Sequence, residues 1–126
     1  PDRQTAFDHY RAKSVFKRWS DEALWSYVNE GFVETGNGDL TLAFPKEWEA
    51  KIYASLPLHV WGELPQIPQP TLAIRGAESE TLLPEAWDRW QELQPDATFF
   101  EIPAAGHMVP MELPGEIIKS IGEFLG

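Results

Sequence analysis

A chain of 126 residues, 43% of them hydrophobic, is long enough for one compact domain but small for a self-sufficient core. Ten basic against twenty acidic side chains leave a net charge of −10, a field that repels phosphate backbones and anionic lipid and argues against nucleic-acid and membrane partners. The absence of cysteine excludes a disulfide framework and a thiolate metal site and fits a reducing, cytoplasmic compartment, while no apolar run approaches the length of a membrane span.

In chain order, residues 5–19 place Phe7, Tyr10, Val15, Phe16 and Trp19 at loose helical intervals among charges, which predicts one or two short helices. Ser20 followed by Asp21 and Glu22 is an N-terminal capping pattern, with Leu24, Tyr27 and Val28 on one face and Gly31 as the stop. Gly36-Asn37-Gly38-Asp39 tolerates positive φ between alternating flanks and predicts a small hairpin or an extended loop. Pro45 opens a further helix to about Ser55, on which Trp48, Ile52, Tyr53 and Leu56 are expected as a buried stripe. Pro65, Pro68 and Pro70 then mark a connector, and a boundary is placed there, between residues 1–64 and 65–126.

Beyond it, residues 71–75 form a short apolar run ending at Gly76, the pattern of a buried parallel strand. Pro84 opens a helix with Ala86, Trp87, Trp90 and Leu93 on one side, Pro95-Asp96 makes a turn, and residues 97–102 form a second strand. The final helix starts near Pro114, with Ile117, Ile118, Ile121, Phe124 and Leu125 expected inside and Glu116, Lys119 and Glu123 outside. Strand, helix, strand, helix is an α/β order with parallel strands, and two such strands cannot make a stable sheet covered on both faces. More strands are therefore expected from elsewhere. The six Trp, seven Phe and three Tyr, and a first residue that is Pro1, fit the same expectation of a fragment.

The sharpest local feature is IPAAGHMVPMELP, residues 102–114, where a strand ends in a small-residue turn that delivers His107 ahead of a helix. Carboxyl ends of parallel strands line the ligand crevice of open α/β sheets, and an imidazole there can serve as general base. Gly106-His107 with Pro110-Met111-Glu112-Leu113-Pro114, preceded at the expected separation by PQPTLAIRGAES, resembles the histidine loop and penultimate strand of the α/β-hydrolase-fold superfamily. The resemblance implies the C-terminal part of that α/β fold: the end of a helical cap in residues 1–64 and the last two βα units in residues 65–126.

It also implies roles. His107 would deprotonate a Ser or Asp nucleophile, or a water, with a carboxylate holding its ring. None of the six serines lies in a Gly-x-Ser-x-Gly elbow, which in the family's chain order would come before Pro1, so this polypeptide alone is expected to be inactive. Where the family usually has Asp, three residues after the strand-ending glycine, this chain has Ser79. Glu80 is the expected substitute, with Glu78 or an acid after an earlier strand as alternatives. Leu82, Met108 and Tyr27 are candidate substrate contacts, although Tyr27, like Tyr10 and Tyr53, also suits the apolar face of a helix. His9 and His59 have no carboxylate at metal-ligand spacing, so no metal and no cofactor are expected. The implied activity is that of an esterase, epoxide hydrolase or C–C hydrolase on a small apolar substrate, completed by the N-terminal part of the same enzyme or by a second chain. The rival is a non-catalytic interaction protein.

Overall fold

The computed structural model describes residues 2–55 and 57–126. The chain divides into two compact units, Pro1–Leu56 and Pro57–Gly126.

In the first unit, helix α1 (Arg3–Arg11) is capped by Asp2, whose carboxylate accepts the Thr5 N–H at 2.8 Å. A 3-10 turn, Ser14–Phe16, follows. Helix α2 (Asp21–Glu30) starts where the sequence places it, with Ser20 Oγ accepting the Ala23 N–H at 3.1 Å. It stops at Gly31, where an added Cβ would lie 2.5 Å from the Tyr27 carbonyl oxygen that the Gly31 N–H already approaches at 2.8 Å. Leu24 and Val28 are fully buried, with Ala6 and Phe16, beneath a shell of aromatic rings. Two arginines close the unit. Arg3 donates to the C-terminal carbonyls of Val28 and Asn29, and Arg11 donates to those of Phe16 and Trp19 while pairing with Asp21. Ser20→Ala removes the α2 cap and is expected to lower stability by about 1 kcal/mol, measurable by thermal unfolding.

Strands β1 (Phe32–Glu34) and β2 (Leu40–Leu42) form an antiparallel hairpin, with Gly38 at φ +82° in the turn, so the hairpin alternative is the one adopted. Helix α3 (Lys46–Ala54) runs from Pro45 to Ser55. Its apolar stripe is not buried: Trp48, Ile52 and Tyr53 are 60%, 61% and 77% exposed, and Leu56 lies outside the described residues. Helical spacing identifies an apolar face but not whether anything covers it, and this unit's core is built by α1, α2 and the rings between them.

The second unit begins ahead of the expected boundary, with α4 (Val60–Glu63) and a 3-10 turn, Leu64–Gln66. These pack on one another and the turn packs on α5 (Pro84–Leu93), where the Arg89 guanidinium lies 5.2 Å from the Trp61 ring. The proline-rich stretch thus lies within the second unit. Strands β3 (Leu72–Gly76) and β4 (Thr98–Ile102) are parallel, in register from Leu72 opposite Thr98 to Gly76 opposite Ile102. Phe99 meets Trp87 and Trp90 of α5, whereas Ile74 and Ile102 share a cluster with Ile117 of α7 (Pro114–Leu125). Successive strand residues point to opposite sides, so α5 and α7 cover opposite faces of the sheet. A short helix that the sequence did not suggest, α6 (Val109–Glu112), stands between His107 and α7.

The inward face of α7 is narrower than expected. Ser120 is buried and Ile117 and Phe124 are half-buried, while Ile118 and Leu125 are 71% and 75% exposed and Ile121 is exposed too. Two strands about 4.8 Å apart present too little surface for five apolar side chains. Among the described residues each strand also has one edge without a strand neighbour.

Candidate active site

The site is built where β3 and β4 end side by side. The segment after β3 stays bonded to the segment after β4: Ala77 N–H donates to Ile102 O at 3.0 Å and Glu78 N–H to Ala105 O at 2.9 Å. Gly76 allows this approach. A Cβ there would lie 2.5 Å from Ala105 O and closer still to Gly106 O, distances that real Cβ atoms do not show. The chain then turns through Ala104, a non-glycine residue at φ +57°, and emerges at His107.

Arg75 organises the segment after β3. Its buried guanidinium pairs with Glu101, directly opposite on β4, while its Nε donates to Leu82 O at 2.7 Å and its Nη2 to Ala77 O at 3.5 Å. Residues 77–82 therefore wrap a fixed cation. Inside that wrap lies Ser79, only 6% exposed, whose Oγ accepts the Leu82 N–H at 3.1 Å and the Thr81 N–H at 3.4 Å. The same Oγ lies 3.1 Å from Nδ1 of His107. The ring itself is exposed, and with Nδ1 engaged its chemistry falls to Nε2.

The expected residues are placed as follows. His107 stands at the carboxyl end of the sheet. Its partner is Ser79, not Glu80: Glu80 is exposed and, among the described residues, has no hydrogen bond or ion pair. The reason is geometric, because the turn that directs residue 79 inward to receive two amide protons leaves residue 80 facing solvent. Glu78 is exposed, and its backbone N–H ties the two segments together. Leu82 and Met108 are half-buried beside the imidazole loop, each engaged through its backbone.

Tyr27 belongs to the core of the first unit. Its ring meets Phe16 at 5.2 Å, Tyr10 at 5.3 Å, Trp19 at 5.8 Å and Phe32 at 6.1 Å. Tyr53 is exposed on α3, and Tyr10 shares the Tyr27 cluster. Burial, reinforced by the neighbouring Tyr10, raises the Tyr27 phenol above its ordinary pKa of 10.0. A raised folded-state value means that the folded form holds the proton more tightly, so this contribution is intact below the unfolded value and is lost as pH rises through the folded one. The melting temperature is expected to fall above about pH 10, and to fall less in Tyr27→Phe.

Three residues escaped assignment from the sequence. Ser79 was visible as the occupant of the acid's usual position. Arg75 was visible as the one charge in an apolar strand, and Glu112 as part of the motif after the histidine, but neither carried a role. Ser79 and His107 form a Ser–His pair whose donor and acceptor follow the tautomer of the ring, yet a buried hydroxyl that also accepts two amide N–H groups is placed to hold the ring and not to attack a substrate. Among the described residues no group of three or more His, Cys, Asp or Glu gathers to hold a metal ion, and no helix is long and apolar enough to cross a membrane.

No family model and no curated protein matches the chain. Solved structures do. An E-2-(acetamidomethylene)succinate hydrolase superposes with a TM-score of 0.89 at 19% identity, over 98% of this chain and 45% of that one. An α/β-hydrolase from Novosphingobium aromaticivorans gives 0.76 at 21% identity, over 98% and 45%. An esterase from Mycobacterium tuberculosis gives 0.71 at 18% identity, over 99% and 41%. The chain thus has the fold of the C-terminal portion of α/β-hydrolases and spans less than half the length of the structures it matches.

Proposed function

We propose that this chain forms the C-terminal part of an α/β-hydrolase-type hydrolase in which His107 is the general base. The observation that carries the reading is His107 itself, set at the carboxyl end of the last parallel strand with Nδ1 held 3.1 Å from Ser79 Oγ. The structural neighbours add weight, since they include a hydrolase, a thioesterase domain and an esterase. In this reading Nδ1–H donates to Ser79 Oγ, which leaves Nε2 unprotonated to take the proton of a Ser nucleophile, or of the water that cleaves an Asp-linked intermediate, the nucleophile being supplied by other polypeptide, either the N-terminal part of the same enzyme or a second chain. The first unit is the end of a helical cap, the activity is that of an esterase, epoxide hydrolase or C–C hydrolase on a small apolar substrate, and the enzyme is cytoplasmic.

Ser79 bears on where the third member of the triad comes from. A neutral hydroxyl can orient the ring, but it cannot offset the positive charge that the imidazole gains as a base. The exposure of Glu80 supports an acid that follows an earlier strand. The test is the coding sequence upstream of residue 1 together with ester and epoxide hydrolysis by the whole gene product. An upstream Ser or Asp between bracketing small residues supports the reading, and its absence sinks it.

The second reading, a non-catalytic chain that pairs with another polypeptide, is favoured by the exposed Ile118, Ile121 and Leu125 and the open strand edges. Sedimentation of the isolated chain tests it, since a compact, soluble monomer would show that these surfaces need no partner.

A further inference from the structure

We infer that Glu112 is the positioning residue of the histidine loop, a carboxylate fork that fixes the backbone on both sides of His107 and thereby sets the direction of the ring. One oxygen, Oε2, accepts the Gly106 N–H at 2.7 Å, and the other, Oε1, accepts the Met108 N–H at 3.2 Å. The two amides bracket His107, so one side chain spans the residue whose imidazole the site presents. Hydrogen bonds to a carboxylate are about twice as strong as neutral ones, and two from one rigid group also define an orientation.

The rest of the loop is anchored so that this fork completes it. On the Gly106 side, the peptide lies against Gly76, where no Cβ could be accommodated. On the Met108 side, the Glu112 N–H donates to Met108 O at 3.0 Å, an i to i−4 backbone bond of α6 that holds Glu112 over the loop. Among the described residues the ring has one further tether, Ser79 Oγ at Nδ1. Backbone and ring are thus held by separate residues, Glu112 and Ser79.

Helix capping alone would need only the Met108 amide. The Gly106 amide lies outside α6, and bonding it serves the loop. Glu112→Gln separates the two roles, because the glutamine carbonyl accepts one amide while its NH2 group faces the other. The functional meaning rests on the reading of His107 as the base.

The experiment uses the full 126-residue chain, with amide hydrogen exchange at Gly106 and Met108 and imidazole 15N spectra of its three histidines, the His107 signals being assigned with His107→Gln. In the wild-type chain both amides are expected to exchange about tenfold or more slowly than free loop amides, the factor implied by a charge-assisted bond. His107 should differ from the exposed His9 and His59. In Glu112→Gln one amide loses protection and the His107 signals move toward those of His9 and His59. Ser79→Ala moves the ring signals but leaves both amides protected. Unprotected amides in the wild-type chain overturn the inference, even if Glu112→Gln fails to fold, and so do unchanged amides and ring signals in a folded Glu112→Gln. Ester hydrolysis by a His107→Gln gene product tests the catalytic reading separately: activity that survives removes that reading and leaves the fork in place.

Discussion

Gly76→Ala is expected to destabilise the second unit by about 3 kcal/mol or more, the upper range for overpacking. The new methyl group meets the backbone oxygens of Ala105 and Gly106, and backbone cannot swing aside as a long side chain can. Relief requires the segments after β3 and β4 to part, which breaks the Ala77 to Ile102 and Glu78 to Ala105 hydrogen bonds and draws Ser79 away from His107. Stability and site geometry should therefore fail together. Gly122→Ala is the control, since nothing lies within 4 Å of a Cβ there and the residue is inside α7. That change is expected to stabilise by about 0.5–1 kcal/mol through the unfolded chain and helix propensity. Urea denaturation of the three proteins measures both, and a Gly76→Ala midpoint equal to wild type would mean that the two loops do not pack as described.

The contrast between these glycines shows what was legible beforehand. Gly76 was legible only as the end of an apolar run, its reason being the backbone of Ala105 and Gly106, far along the chain, whereas Gly38 sits in an Asn-Gly turn whose local pattern carried the physical reason for the residue. Capping at Ser20, the crossover helix with its Trp87 face and the histidine at a strand end were readable in the same way, because each depends on residues close in sequence. What failed depends on partners distant in sequence or outside the chain. The α3 and α7 stripes follow helical periodicity correctly, but exposure is set by how much opposing surface exists, and two strands offer little. Ser79 as the imidazole's partner could not be read from side-chain charge, which pointed to Glu80. It follows from a turn held by the buried Arg75, whose counter-ion Glu101 is 26 residues away.

His107→Gln is expected to lower kcat for hydrolysis by about 10²–10⁴ in the gene product that contains this chain, with KM nearly unchanged. Glutamine keeps a polar side chain of similar reach, so binding contacts through the loop persist, but it cannot accept a proton from a nucleophile. Ser79→Ala should be milder, a few-fold to about tenfold, because it removes one neutral hydrogen bond of about 1 kcal/mol while the backbone of the loop stays held through Glu112. The ratio of the two effects discriminates between mechanisms. If Ser79→Ala were as damaging as His107→Gln, with KM unchanged in both, the hydroxyl would have to take part in the chemistry, against its burial and its two amide donors. If neither mattered, the pair would be a structural contact at the end of a sheet, and the base would have to be sought elsewhere. The intermediate pattern, a large loss at the ring and a small one at its tether, is what a base oriented by a hydroxyl and charge-balanced by an acid from an earlier strand requires.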